Sequence, residues 1–77
     1  MPTILRIDGY RFFFYSDEGN EPPHVHVEKN AGRGKYWLNP LREDYMRNFK
    51  AAEQRRARKL IEIHQYDFKA AWDEYFR

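Results

Sequence analysis

Two of the chain's three histidines, His24 and His26, stand two residues apart in the run Glu21-Pro22-Pro23-His24-Val25-His26-Val27. The prolines hold the approach extended. Strand alternation then sends both imidazoles to one face and Val25 and Val27 to the other. Three chemistries suit such a pair. Neutral imidazoles at i,i+2 can ligate a metal, but a site needs three or four ligands. Asp17, Glu18, Glu21 and the distant His64 are the remaining candidates, and cysteine is absent. The pattern therefore specifies no ligand set, and neither a metal nor a cofactor is assigned.

The second chemistry is acid/base catalysis. Metal-independent RNA cleavage needs a base for the 2′-hydroxyl proton and an acid for the leaving oxygen, and two imidazoles suit both roles at neutral pH. His24 and His26 are the catalytic candidates of this ribonuclease-like reading. Against it, neighbouring imidazoles on one strand lie closer together than an in-line acid and base require. The third is recognition and structure: a strand histidine that bonds a loop carbonyl, pairs with Glu21 or Glu28, or sits in an interface. Polar strand positions are mostly satisfied hydrogen-bonders, so this third reading ranks first.

A polyanion would also need cations and stacking surfaces. Arg6, Arg11, Lys29, Arg33 and Lys35 supply charge if the strands share a face, and Phe13 or Tyr15 could stack a base. Net charge is +2. It is unevenly spread: residues 1–41 are neutral, 42–59 carry +4 and 60–77 carry −2. The candidate nucleic-acid contacts are Arg6, Arg11, Lys35, Arg55, Arg56 and Lys59. The plainer reading of the basic stretch is a solvated helix face with pairs such as Arg58–Glu62.

These residues must be positioned by a small α+β fold. Residues 3–7 and 10–16 are β-branched and aromatic, and Asp8-Gly9 between them is a two-residue turn signal. That turn sets Ile7 against Tyr10 and Leu5 against Phe12, with Ile4 against Phe13. Residues 24–28 form a third strand. A glycine-rich loop over 29–34 leads to a fourth over 35–38, which Asn39-Pro40 ends. Residues 41–48 read as a short helix and 50–65 as a longer one, with Ala57, Leu60, Ile61 and His64 on one face. A break near 65–67, with Asp67 as N-cap, opens a final helix over 68–77. The expectation is two hairpins in a mostly antiparallel four-stranded sheet, with two or three helices on one face. Leu5, Ile7, Phe12, Phe14, Val25, Val27, Leu38, Leu60, Phe68, Trp72 and Phe76 form its core. His64 is expected in the core or at a helix end.

At 77 residues the chain is one domain, 1–77, with no disulfide to staple it. Its aromatic content of 18% supplies burial in few residues. Arg6, Asp8 and Arg11 interrupt any leader-like apolar stretch, and no run approaches the roughly 20 residues of a membrane helix. A soluble cytoplasmic protein without membrane contact is expected.

The Phe14-Tyr15-Ser16-Asp17 hairpin end, the proline–histidine run, Tyr36-Trp37-Leu38-Asn39-Pro40 and the closing Trp72-Asp73-Glu74-Tyr75-Phe76 resemble the small bacterial domain-of-unknown-function family 4160. The resemblance spans nearly the whole chain. It implies a bacterial protein encoded beside another small domain, in gene pairs commonly proposed as toxin–antitoxin modules, and it gives no established reaction. Where the long helix begins, members carry a small capping residue and this chain has Lys50, with Asn48 as the substitute cap. The expected function is a component of a toxin–antitoxin-like module, binding a cognate small protein encoded nearby and RNA or DNA. The alternatives are the ribonuclease-like toxin and a pure protein-interaction module or neutralising partner. A homodimer stays open.

Overall fold

A computed structural model describes residues 3–77. Five strands run in chain order, β1 (Thr3–Ile7), β2 (Tyr10–Phe13), β3 (His24–Lys29), β4 (Gly32–Leu38) and β5 (Leu41–Arg47), followed by one helix, α1 (Ala51–Phe76). The sheet is an antiparallel meander in the order β1-β2-β3-β4-β5. The class is α+β as expected, but with five strands and one helix in place of four strands and two or three helices. Among the described residues, no helix is long and apolar enough to cross a membrane.

The first turn is as expected. Asp8 and Gly9 both take positive φ, 53° and 82°, as a two-residue hairpin matching the strand twist requires. Ile7 faces Tyr10 and Leu5 faces Phe12, but an irregularity between Thr3 and Leu5 sets Thr3, and not Ile4, against Phe13. Ile4 consequently packs against the core with Leu5 and Ile7, all three only partly buried.

The expected 29–34 loop is a tight turn at Asn30-Ala31 between Lys29 and Gly32. Its glycines belong to β4 because the helix-side neighbours need their space. A Cβ on Gly32 would lie 2.6 Å from the Phe49 ring, and one on Gly34 would collide with the Met46 sulfur. Residues 41–48 are the larger correction. Their composition suits a helix, yet Asn39-Pro40 folds the chain back so that Leu41 pairs with Leu38 and Arg47 with Arg33. Sheet pairing overrides a weak local propensity. An irregularity opposite Lys35 and Tyr36 lets both Leu41 and Met46 reach the core side.

The helix does not break near Gln65–Asp67. No proline or glycine follows Pro40, and Ala57, Leu60, Ile61, Phe68 and Trp72 keep one buried face throughout. Asp67 is an ordinary helical residue, 3.7 Å from His64, which lies half-buried in mid-helix. Lys50, and not Asn48, occupies the N-cap position. Its side chain has no oxygen to cap with; instead the Glu53 carboxylate accepts from the Lys50 N–H at 3.0 Å. Arg58 reaches Glu43 and the Tyr36 hydroxyl, not Glu62.

The core lies between α1 and one sheet face: Tyr10, Phe12, Val25, Val27, Tyr36 and Leu38 against Ala57, Leu60, Ile61 and Phe68. A second aromatic group forms where the helix, about 39 Å long at 1.5 Å per residue, extends along the chain's 14–23 loop. There Phe14 meets Trp72, Tyr75 and Phe76 at ring separations of 5.3–5.4 Å.

Candidate functional site

Alternation places His24, His26 and Glu28 on the sheet face opposite the helix, beside Lys35, Trp37 and Arg33 of β4. Phe13 and Arg11 of β2 pair with His26 and Glu28 on that face. Strand parity therefore brings Arg11, Lys35 and both histidines together as expected, with Arg6 opposite Arg11. Lys29 has the other parity and lies over the Tyr10 ring.

The remaining basic candidates are elsewhere. Arg55, Arg56 and Lys59 are exposed on α1, whose buried positions face the other side of the sheet. Arg56 is bound to Asp8. The six expected nucleic-acid contacts thus form two surfaces on opposite layers, and the +4 stretch is divided between β5 and the helix.

The histidines are not open to solvent. His24 is fully buried and His26 is 8% exposed. The 14–23 loop covers them. Glu18 N–H donates to the Tyr15 carbonyl and Glu21 N–H to the Glu18 carbonyl. The Tyr15 N–H donates to Glu18 Oε1 at 2.8 Å, which aims the carboxylate at the sheet. Glu18 Oε2 lies 2.9 Å from His26 Nε2, and Oε1 lies 3.0 Å from His24 Nε2.

Around this centre stand aromatic rings. His24 packs on Trp72 at 4.8 Å and Trp37 at 5.5 Å. His26 packs on Phe13 at 5.4 Å and Tyr15 at 5.0 Å. The sequence placed Glu18 among several acidic candidates; its i,i+3 relation to Tyr15 is the local signal, but only the loop's path over β3 selects it.

Protonation follows from these contacts. Burial works to raise the Glu18 carboxyl, yet the neighbouring His26, the Tyr15 amide and His24 together outweigh it and hold the group below its ordinary value. Burial lowers His26, outweighing the attraction of Glu18, with His24 and Lys35 acting in the same direction. At neutral pH the pair is a carboxylate accepting from the Nε2–H of a neutral imidazole.

His24 has the opposite tautomer. Its Nδ1 lies 3.0 Å from the Pro22 carbonyl, which can only accept, so Nδ1 carries the proton. Its Nε2 is buried without a hydrogen-bond partner, being badly aligned with Glu18 despite the short distance.

The face is rich in cations resting on rings, on β2 as well as towards β5. Arg11 lies 4.3 Å from the Phe13 centroid, Lys35 4.4 Å from Trp37 and Arg47 4.9 Å from Tyr45. A depression lined by Pro22, Trp37, Asn39, Pro40 and Arg42 adjoins the Trp37 ring.

The family model described as Domain of unknown function (DUF4160) matches residues 9–73, which include Glu18, both histidines, Arg11 and Lys35 but not Arg6. The chain belongs to that family. No curated protein and no solved structure matches the chain. Membership assigns no activity, so the functional reading rests on the geometry of this chain's own site.

Proposed function

We propose that this chain binds single-stranded nucleic acid, RNA foremost, on the sheet face that carries Arg11, Lys35, Trp37 and Arg47. It does so as a cytoplasmic component of a bacterial toxin–antitoxin-like module whose other member is a cognate small protein. The observation carrying this reading is the set of cation–ring pairs on that face: Arg11 on Phe13, Lys35 on Trp37 and Arg47 on Tyr45. Phe13 is buried beneath Arg11, so bases would stack on the half-buried Trp37 and Tyr45 and on the exposed Tyr15, with phosphates pairing with the adjoining cations, as on other sheet surfaces that read unstacked RNA. Arg6, Arg42 and Arg47 have no ion-pair partner among the described residues, so their charge is available to a polyanion. The sheet's outer strands, β1 and β5, have unpaired edges where a partner strand could add.

The ribonuclease reading has less support. His24 has no exposed surface, and both imidazoles face one carboxylate rather than opposite sides of a scissile bond.

The test is fluorescence anisotropy with a labelled single-stranded RNA of mixed sequence, repeated across a salt series. Arg42→Glu/Arg47→Glu is expected to lower affinity at least tenfold. Arg55→Glu/Lys59→Glu, on the opposite layer, is expected to change it less than threefold. Absence of binding by the wild type at low salt, or equal losses in both double variants, would overturn the sheet-face reading.

A further inference from the structure

The centre of the covered face has a property that nucleic-acid binding does not use. Three side chains from two segments, Glu18, His24 and His26, present ligand-type atoms that all lie within 4.8 Å of one another. We propose that these three residues bind one Zn²⁺ ion, through both Nε2 atoms and the Glu18 carboxylate, with a fourth position for water.

Four observations support the site. First, the donor set is two imidazoles and a carboxylate, a set that zinc accepts in four-coordinate geometry with one position open. Second, the spacing fits. Donors about 2.0–2.2 Å from a tetrahedral ion lie about 3.3 Å apart, and the His–Glu separations here are 2.9 and 3.0 Å. A small outward movement of the carboxylate would admit the ion.

Third, His24 is prepared as a ligand. Its Nδ1–H is held by the Pro22 carbonyl, the outer-shell bond that fixes a metal-binding tautomer. Its Nε2 is wholly buried without a hydrogen-bond partner, 3.0 Å from Glu18 Oε1. His26 needs only to carry its single proton on Nδ1 in place of Nε2, with no net change in protons.

Fourth, the site sits where the chain lacks another fastening. The 14–23 loop has little regular backbone pairing, the chain has no cysteine, and small domains commonly rely on a metal or disulfide. Glu18 contributes the loop and His24 and His26 contribute the sheet, so an ion there would clamp one to the other. The surrounding rings of Phe13, Tyr15, Trp37 and Trp72 limit water at the ion.

The inference is independent of nucleic-acid binding and is tested with the metal alone. The full chain, treated with chelator and then exchanged into chelator-free buffer, is titrated with Zn²⁺ by calorimetry, while near-ultraviolet circular dichroism follows its tertiary packing. Saturation at one equivalent is expected. Glu18→Gln and His26→Gln are each expected to weaken binding at least tenfold with tertiary dichroism retained, whereas His64→Ala should leave it within twofold. Co²⁺ added in place of Zn²⁺ should give the visible absorption of a four-coordinate ion in the wild type and not in Glu18→Gln. No saturable uptake, or uptake lost in His64→Ala but kept in Glu18→Gln and His26→Gln, would overturn the site.

Discussion

The Glu18 carboxylate lies 2.9 Å from His26 Nε2, a contact between the middle of an irregular loop and the third residue of a strand. Glu18 thereby fastens the middle of the 14–23 loop to the outer sheet face, beside the Glu21–Lys35 pair. Its removal strips His26 of its carboxylate partner and leaves His24 Nε2 without its nearest polar neighbour. Glu18→Ala is expected to cost about 1–3 kcal/mol, the usual penalty for buried polar groups left without partners. Glu21→Ala, which removes a more exposed pair with Lys35, should cost within about 1 kcal/mol. Urea unfolding of the metal-free chain measures both, and equal costs would contradict this role for Glu18.

Gly34 exists for Met46. A methyl group there would collide with the Met46 sulfur and lie 3.1 Å from both the Tyr45 carbonyl and Val27 Cγ1. Gly34→Ala is expected to destabilise by about 1–3 kcal/mol through overpacking. Combined with Met46→Ala, the loss should be less than the sum of the two single losses, because the methyl then occupies vacated space. Additive losses in a double-mutant cycle would show that strand pairing, and not the sulfur, requires the glycine.

Alkaline pH should weaken the fold through two buried phenols. Burial, aided by Glu53, raises the Tyr10 hydroxyl above its ordinary value of 10.0. Burial also raises Tyr36, with Glu43 adding to it and Arg58 opposing it. Tyr10 donates to the Glu53 carbonyl at 2.8 Å and Tyr36 to Glu43 Oε1 at 3.0 Å. The unfolded chain therefore releases these protons first. Their contribution is complete below about pH 10 and declines as pH rises through the raised folded values. Urea midpoints measured between about pH 9 and about pH 11 should fall, and fall less steeply in Tyr10→Phe/Tyr36→Phe.

The salt dependence of RNA binding should report the number of face cations engaged. Each phosphate contact on a single strand contributes about −0.7 to the slope of log affinity against log salt. Arg47→Gln is expected to reduce the slope by about 0.7 and Arg42→Gln/Arg47→Gln by about 1.4. An unchanged slope would remove these two residues from the interface.

Much of this structure follows from local chemistry. Asp8-Gly9 makes the first hairpin because both residues tolerate positive φ, and the alternation of residues 24–27 assigns the valines to the core and the histidines to the other face. Leu60 and Ile61, and separately Phe68 and Trp72, mark helical faces without reference to any neighbour, although their union in one unbroken helix is a finding of the structure. Local chemistry also misleads where the reason for a residue is distant. Gly32 and Gly34 look like a loop because Phe49 and Met46, which occupy their space, are remote in sequence. Residues 41–47 look helical because only pairing with β4 makes them a strand.

The candidate site divides in the same way. The residue order alone determined that two imidazoles share a strand face, since that depends on a two-residue period; Arg11 joins that face only through the pairing of β2 with β3. The tertiary structure decided that Glu18 joins them, that His24 is sealed beneath Trp72, and that the helix cations lie on the opposite layer. Those outcomes depend on where a ten-residue loop and the end of a long helix come to rest, and that is governed by the packing of Phe14, Trp72 and Phe76 rather than by the local preference of any segment.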